Sequence, residues 1–281
     1  MGNGMLRAFF WVMVLATALL FGQTLAGLPG AEATADENFG HALVLFVHQL
    51  LLVYWLGPDI AVMVWSRIAV NTKLDIEQRI VAGKMMTMID IVPRICLSLF
   101  LTVAGILSGT YGVMHPWWQM AGIILLGPVW LTIVLLSYLN RGSAFGAQVA
   151  RYDTWLRAAL VIGIPLSVTW SLLTGRLVDT PWIALKLIIL AVVILLGMIM
   201  RIRLRTFFDG VQRLATEGQS EEIDGVMKKS IGLALPLVHA TWFLLLWASL
   251  VGVIKPGEPV AADSVAVVES PAGQAPQVVE N

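Results

Sequence analysis

Seven ionisable side chains interrupt long apolar stretches of the chain: His41, His48, Asp59, Asp90, Arg94, Lys186 and His239. Each is of a type that can do chemistry. An imidazole ligates a metal or passes a proton, a carboxylate near a cation holds or relays a proton, and an ammonium pairs with an anionic group. Inside hydrocarbon such groups cost a few kcal/mol each, so by default they face the interior of a bundle and are functional candidates. Their spacing is ordered. His41 and His48 are seven residues apart, Trp55 is seven further, and Asp59 lies eleven after His48. At about 100° per residue these four fall within about 20° of one helix face, and Ser66 extends the stripe. Gly57-Pro58 lies within it and predicts a kink that frees backbone carbonyls to line a cavity.

The elements that must position these residues follow from composition. Of 281 residues, 58% are hydrophobic and 13% charged, with a mean hydropathy of +0.82. Soluble domains carry about 25% charged residues, so the chain reads as an integral membrane protein in a lipid bilayer. Its net charge of zero lacks the basic footprint of a nucleic-acid partner. Cys96 is the only cysteine, which excludes an intrachain disulfide and a Cys-cluster metal site. A ruler of about 20 apolar residues per span predicts spans near 8–26, 41–65, 88–110, 118–139, 156–175, 181–203 and 232–254. The first follows Arg7 and precedes small-residue patterns ending at Ala26 or Ala33, so residues 1–33 are either a secretory signal peptide or a retained first helix. The fold expected is an all-α polytopic transmembrane bundle over 34–255, with six spans plus that segment, and a disordered outer tail over 256–281.

Basic residues concentrate in three connections, 67–87, 140–157 and 201–231, while the alternate connections hold only Arg176 and Lys255. The positive-inside rule then places the three basic connections in the cytoplasm of a bacterial-type inner membrane and the C-terminus outside. Asp209-Gly210 and the polar run from Glu217 to Asp224 read as a loop within the last of them. At 1.5 Å per residue, His48 lies about 7 Å and Lys186 about 9 Å outward of their span centres. Asp59, Arg94 and His239 lie about 9, 7 and 5 Å inward by the same count. This predicts an outer pair, His48/Lys186, and an inner cluster, Asp59/Arg94/His239, with Asp90 below. His48 and His239 differ by about 12 Å in level, too far to share one iron.

Plainer readings stand beside these. A lone His in a span can be a hydrogen-bonding link between helices. Asp90 and Arg94, at i and i+4, neutralise each other on one helix. Lys186 is near enough to the rim to snorkel, and His41 sits at the interface. Met85, Met86 and Met88 are copper-compatible thioethers or core filler. Trp117, Trp118, Trp155 and Trp182 read as interface anchors.

The stretch from His48 through Tyr54-Trp55-Leu56-Gly57, with Arg67 at its inner end, resembles the first core helix of a membrane superfamily. That superfamily contains the copper-resistance D proteins and the bacterial membrane protoporphyrinogen oxidases. Trp182-Ile-Ala-Leu-Lys186-Leu, followed by Arg201, Arg203 and Arg205, resembles its Lys-bearing helix, and Lys255-Pro256 is similar to the ending of the oxidase branch. The chain departs from the oxidases in its fourth and fifth spans and in Leu235-Pro-Leu-Val-His239, where they have Asn-Glu-Val-Pro. The resemblance implies a helical bundle in which His48 is linked to a bound b-type haem and Lys186 is its functional partner. On that reading the inner cluster, Asp59, Arg94 and His239, is a proton relay or a structural network. The alternatives are a copper-handling transporter using His41, His48, Met114 and His115, and a non-catalytic scaffold among other membrane subunits.

Overall fold

The computed structural model describes residues 35–258; segment 1–33 and nearly all of the 256–281 tail lie outside the described residues. Seven helices follow one another: α1 (Ala35–Ala69), α2 (Ile76–Ile89), α3 (Ile91–Thr110), α4 (Trp117–Leu139), α5 (Ala144–Leu173), α6 (Pro181–Glu217) and α7 (Glu221–Ile254). Pro93 has no N–H to donate to the carbonyl of Ile89, so α2 stops there. Asp90 keeps a helical backbone (φ −58°, ψ −16°) and joins α2 to α3. Counting α2–α3 as one, six segments among the described residues are long and apolar enough to cross a membrane. The protein is an all-α, multi-pass integral membrane bundle.

Each span packs on the next, and α7 returns against α1, so the helices close a ring. One end carries the connections 70–75, 140–143 and 218–220 and is called the basic end; connections 111–116 and 174–180 mark the far end. Along α1 the face Val44, His48, Leu51, Trp55, Asp59, Ser66 is buried, with the three- to seven-residue spacings of one helical stripe. α1 runs as one helix through Pro58. α4 also contains a proline, Pro128. The Thr102 hydroxyl of α3 accounts for its close approach there: it donates to Ile123 O (2.6 Å) and accepts from Gly127 N (2.8 Å). A Cβ on Gly127 would lie 2.8 Å from that hydroxyl, so glycine is what lets the helices meet.

The basic end differs from the expected loops. The predicted connections 67–87, 140–157 and 201–231 are largely helical, and the true turns are short. α2 and the ends of α6 and α7 extend past the apolar windows and pack a second core of Ala69, Ala82, Met86, Phe207, Leu214, Ile223 and Met227. Met86 is thus core filler. Asp209-Gly210 lies inside α6, not in a turn. A Cβ on Gly210 would sit 2.5 Å from Met227 Cγ, so this glycine serves close helix packing. The chain turns instead at Gly218 (φ +84°), where L side chains are strained, and Ser220 caps α7 by accepting from Ile223 N (3.2 Å). With Glu221, Glu222 and Asp224 in its first turn, α7 begins with the carboxylates its dipole favours.

Candidate functional site

All six spans line one cavity of about 630 Å³ near the far end. That volume falls within the ordinary range for small-molecule and cofactor sites. Its walls are mostly apolar, with His48, Gln49, Ser108, His115, Gln119 and Lys186 among the polar lining residues. The outer pair from the sequence therefore shares one chamber, and Lys186 is close enough to act electrostatically on His48. The His48 ring lies tilted against Phe100 (4.5 Å between centroids), which in turn meets Trp55 edge-on at 5.9 Å. The α1 stripe is thus a clamp on α3.

Two buried polar atoms on cavity residues, His48 Nδ1 and Trp182 Nε1, have no hydrogen-bond partner among the described residues. An orphaned buried donor or acceptor costs about 1–3 kcal/mol, a cost that a guest with polar atoms would relieve. Lys186 is half-buried and has no carboxylate among its contacts in the described residues; its ammonium lies 5.8 Å from the Trp182 ring. Lys255 approaches the same ring at 5.8 Å and the Tyr111 ring at 4.6 Å, and is paired with Glu258 at 3.3 Å. The Lys186 ammonium reaches α7 at Gly252, where an added Cβ would stand 2.7 Å from Nζ. Sequence reasoning did not single out Gly252, Ser108 or the role of Trp182. Only Trp182 carried a signal, as a span-end aromatic four residues before Lys186.

The far-end histidines have assigned tautomers. Ser108 donates to Gly105 O (2.7 Å), so His115 Nε2–H donates to Ser108 Oγ (2.9 Å). Burial, with the Arg176 guanidinium, holds the His115 imidazole below its ordinary value, against a pull upward from Gln119. Thr110 likewise donates to Leu107 O, so His41 Nδ1–H donates to Thr110 (2.8 Å). His41 lies edge-on to Tyr111 at 5.4 Å and is not among the cavity's lining residues.

The expected inner cluster resolves into separate contacts. Asp59 Oδ2 accepts from Trp242 Nε1 at 2.7 Å. Arg94 pairs with Asp90, one helical turn away on its own chain segment. His239 is exposed on α7, with its ring edge-on to Trp242 at 5.6 Å. Sequence reasoning missed a larger network at that end, because Arg157 and Arg201 were counted with the basic connections 140–157 and 201–231 and Asp153 was not singled out. Asp153 and Arg157 are buried. Asp153 accepts from Trp130 Nε1 (2.8 Å), from Arg157 Nε (3.0 and 3.1 Å) and from Arg201. The i, i+4 spacing of Asp153 and Arg157, the same as Asp90 and Arg94, was the available signal.

No group of three or more His, Cys, Asp or Glu side chains that could hold a metal ion occurs among the described residues. Comparison with protein-family models, with curated proteins and with solved structures finds no match.

Proposed function

We propose that this membrane protein holds a b-type haem in the far-end cavity and acts as a redox protein resembling the membrane protoporphyrinogen oxidases. One observation carries the reading: a buried imidazole with an unpartnered ring nitrogen and an ammonium without a carboxylate share one apolar chamber. Those features fit the group. His48 is the candidate iron ligand and Lys186 the cation for a carboxylate on the macrocycle. The leucines, Phe100 and Trp182 provide the apolar walls. A bound haem supplies one-electron chemistry. The chain's own part is to ligate, to pair charge and to exclude water. In this reading the basic end faces the cytoplasm of an inner membrane and the C-terminus lies outside.

A copper-handling role draws less support. The cavity contains two imidazoles, His48 and His115, and no thiolate or thioether among its lining residues, whereas soft sulfur ligands favour Cu(I). Met114 is 84% exposed.

The direct test is the visible spectrum of the full chain purified from haem-replete cells. A Soret band at about one haem per chain is expected. A colourless protein that also fails to take up haemin in titration sinks the reading.

A second expectation concerns Gly252. Alanine there drives Nζ of Lys186 away from its place beside α7. The lysine tip can swing aside, so the bundle should melt at the wild-type temperature while haem affinity falls about tenfold, roughly 1.4 kcal/mol. Unchanged affinity in Gly252→Ala would remove Lys186 from the proposed role.

A further inference from the structure

Four guanidiniums from four parts of the chain lie at the basic end: Arg94 on α3, Arg141 in the α4–α5 turn, Arg157 on α5 and Arg201 on α6. Arg157 and Arg201 meet on one carboxylate, Asp153. The four are near enough to repel one another, Arg94 acting on each of the other three. Among the described residues only two carboxylates, Asp90 and Asp153, are bonded to them; Asp59, deeper in the span, is bonded to Trp242. Asp153 has no capacity left. Its Oδ1 accepts from Trp130 and Arg157, and its Oδ2 from Arg157 and Arg201, which fills the roughly four acceptor sites of a carboxylate. Yet Arg157, 2% exposed, still has an Nη2 with no partner. Arg141 lies over the Tyr138 ring at 4.5 Å and makes no ion pair among the described residues. The cluster is short of anionic oxygen: of the four only Arg157 is buried, and a buried donor left without an acceptor is costly.

We propose that this cluster is a binding site for a phosphate oxyanion. Forked guanidiniums match the planar, bidentate demands of phosphate oxygens better than any other side chain. The level is right for a phosphate at the membrane surface. Counting from the far ends of their helices, Arg94 and Arg157 lie about 24 Å along and Arg201 about 30 Å, against a hydrocarbon thickness of about 30 Å. The site is also reachable, because the Arg94 and Arg201 side chains are 28% and 31% exposed. Basic pockets between spans are known to seat anionic headgroups. The phosphate can come from an anionic phospholipid or from solution; the chemistry that recognises it is the same. The inference does not depend on what occupies the far-end cavity.

The test follows thermal unfolding of the purified full chain. Phosphatidylglycerol is compared with phosphatidylcholine, and inorganic phosphate with chloride at equal ionic strength. A rise in melting temperature with phosphatidylglycerol alone assigns the site to lipid. A rise with phosphate alone assigns it to the free anion, and a rise with both shows that the phosphate group suffices. Arg141→Gln, which breaks no ion pair, should fold normally and need about tenfold more of the active anion for the same rise. Lys228→Gln, an exposed cation at the same end, should leave the response unchanged. No rise with either anion overturns the proposal. So does an undiminished response in Arg141→Gln, or an equal loss in Lys228→Gln.

Discussion

His48→Ala is expected to yield a folded, colourless protein. In the proposed site the imidazole is the iron ligand, and disturbing groups that merely support a metal ligand already costs about 10–100-fold in affinity. Removing the ligand itself should exceed about 100-fold, enough to lose haem during purification. Folding should survive. The substitution deletes a ring whose Nδ1 has no partner among the described residues and which lies tilted against Phe100. Lys186→Gln should behave differently, keeping the Soret band while weakening retention about tenfold, because it removes a charge pair and no iron bond. The decisive measurement is the haem-to-protein ratio of the two variants beside wild type. A full complement of haem in His48→Ala, with an unshifted band, would be incompatible with ligation by this residue.

The second large effect concerns stability. Arg79 is fully buried in the basic-end core, donating through Nη2 to Asp224 Oδ1 (2.5 Å) and through Nε to Ala69 O (3.0 Å). It ties α1 and α2 to the start of α7. Asp224→Ala leaves that guanidinium charged and without its carboxylate among Ala82, Phe207 and Ile223. Breaking a buried pair in this way costs about 3–5 kcal/mol. Replacing both partners, Arg79→Leu with Asp224→Leu, should recover most of the loss, since a matched apolar pair avoids the desolvation penalty. Melting of the purified protein, with trypsin cleavage after Arg213 and Lys228 on either side of the 218–220 turn as a local readout, separates the two. A loss under about 1 kcal/mol in Asp224→Ala, the scale of an exposed pair, would mean the pair is not buried in the membrane-bound protein.

How much of this could be read from the residues varies with depth in the membrane. The six spans were legible because hydrocarbon imposes a length and a composition on any segment that crosses it. The α1 stripe was legible because helical spacing places His48, Trp55, Asp59 and Ser66 on one face, and all four are buried. That His48 and Lys186 lie at one level was legible from axial counting; that they line one chamber is seen only in the structure. The basic end was not. Hydropathy registers where apolar character stops, not where a helix stops, and α6 runs on to Glu217 through Arg201, Arg203 and Arg205. For the same reason Arg157 and Arg201 looked like surface charges in a connection. Levels along an axis also carry no azimuth: Asp59, Arg94 and His239 are near one height, yet Asp59 faces Trp242, Arg94 faces Asp90, and His239 is exposed.

The closed ring of helices is filled unevenly, and that has a consequence for electrical insulation. The chamber is lined by residues no deeper than Leu52 on α1 and Phe100 on α3. Beneath it the ring is packed with Trp55, Ile95, Cys96, Trp130 and Ile194, all nearly inaccessible. A continuous thread of water across the bilayer would let ions leak and collapse the voltage, and an apolar constriction prevents it by staying dry. This protein combines a large pocket at one face with such a seal across the rest of its thickness. It is shaped as a vessel with a floor, hollow near one end and closed by packed side chains beneath.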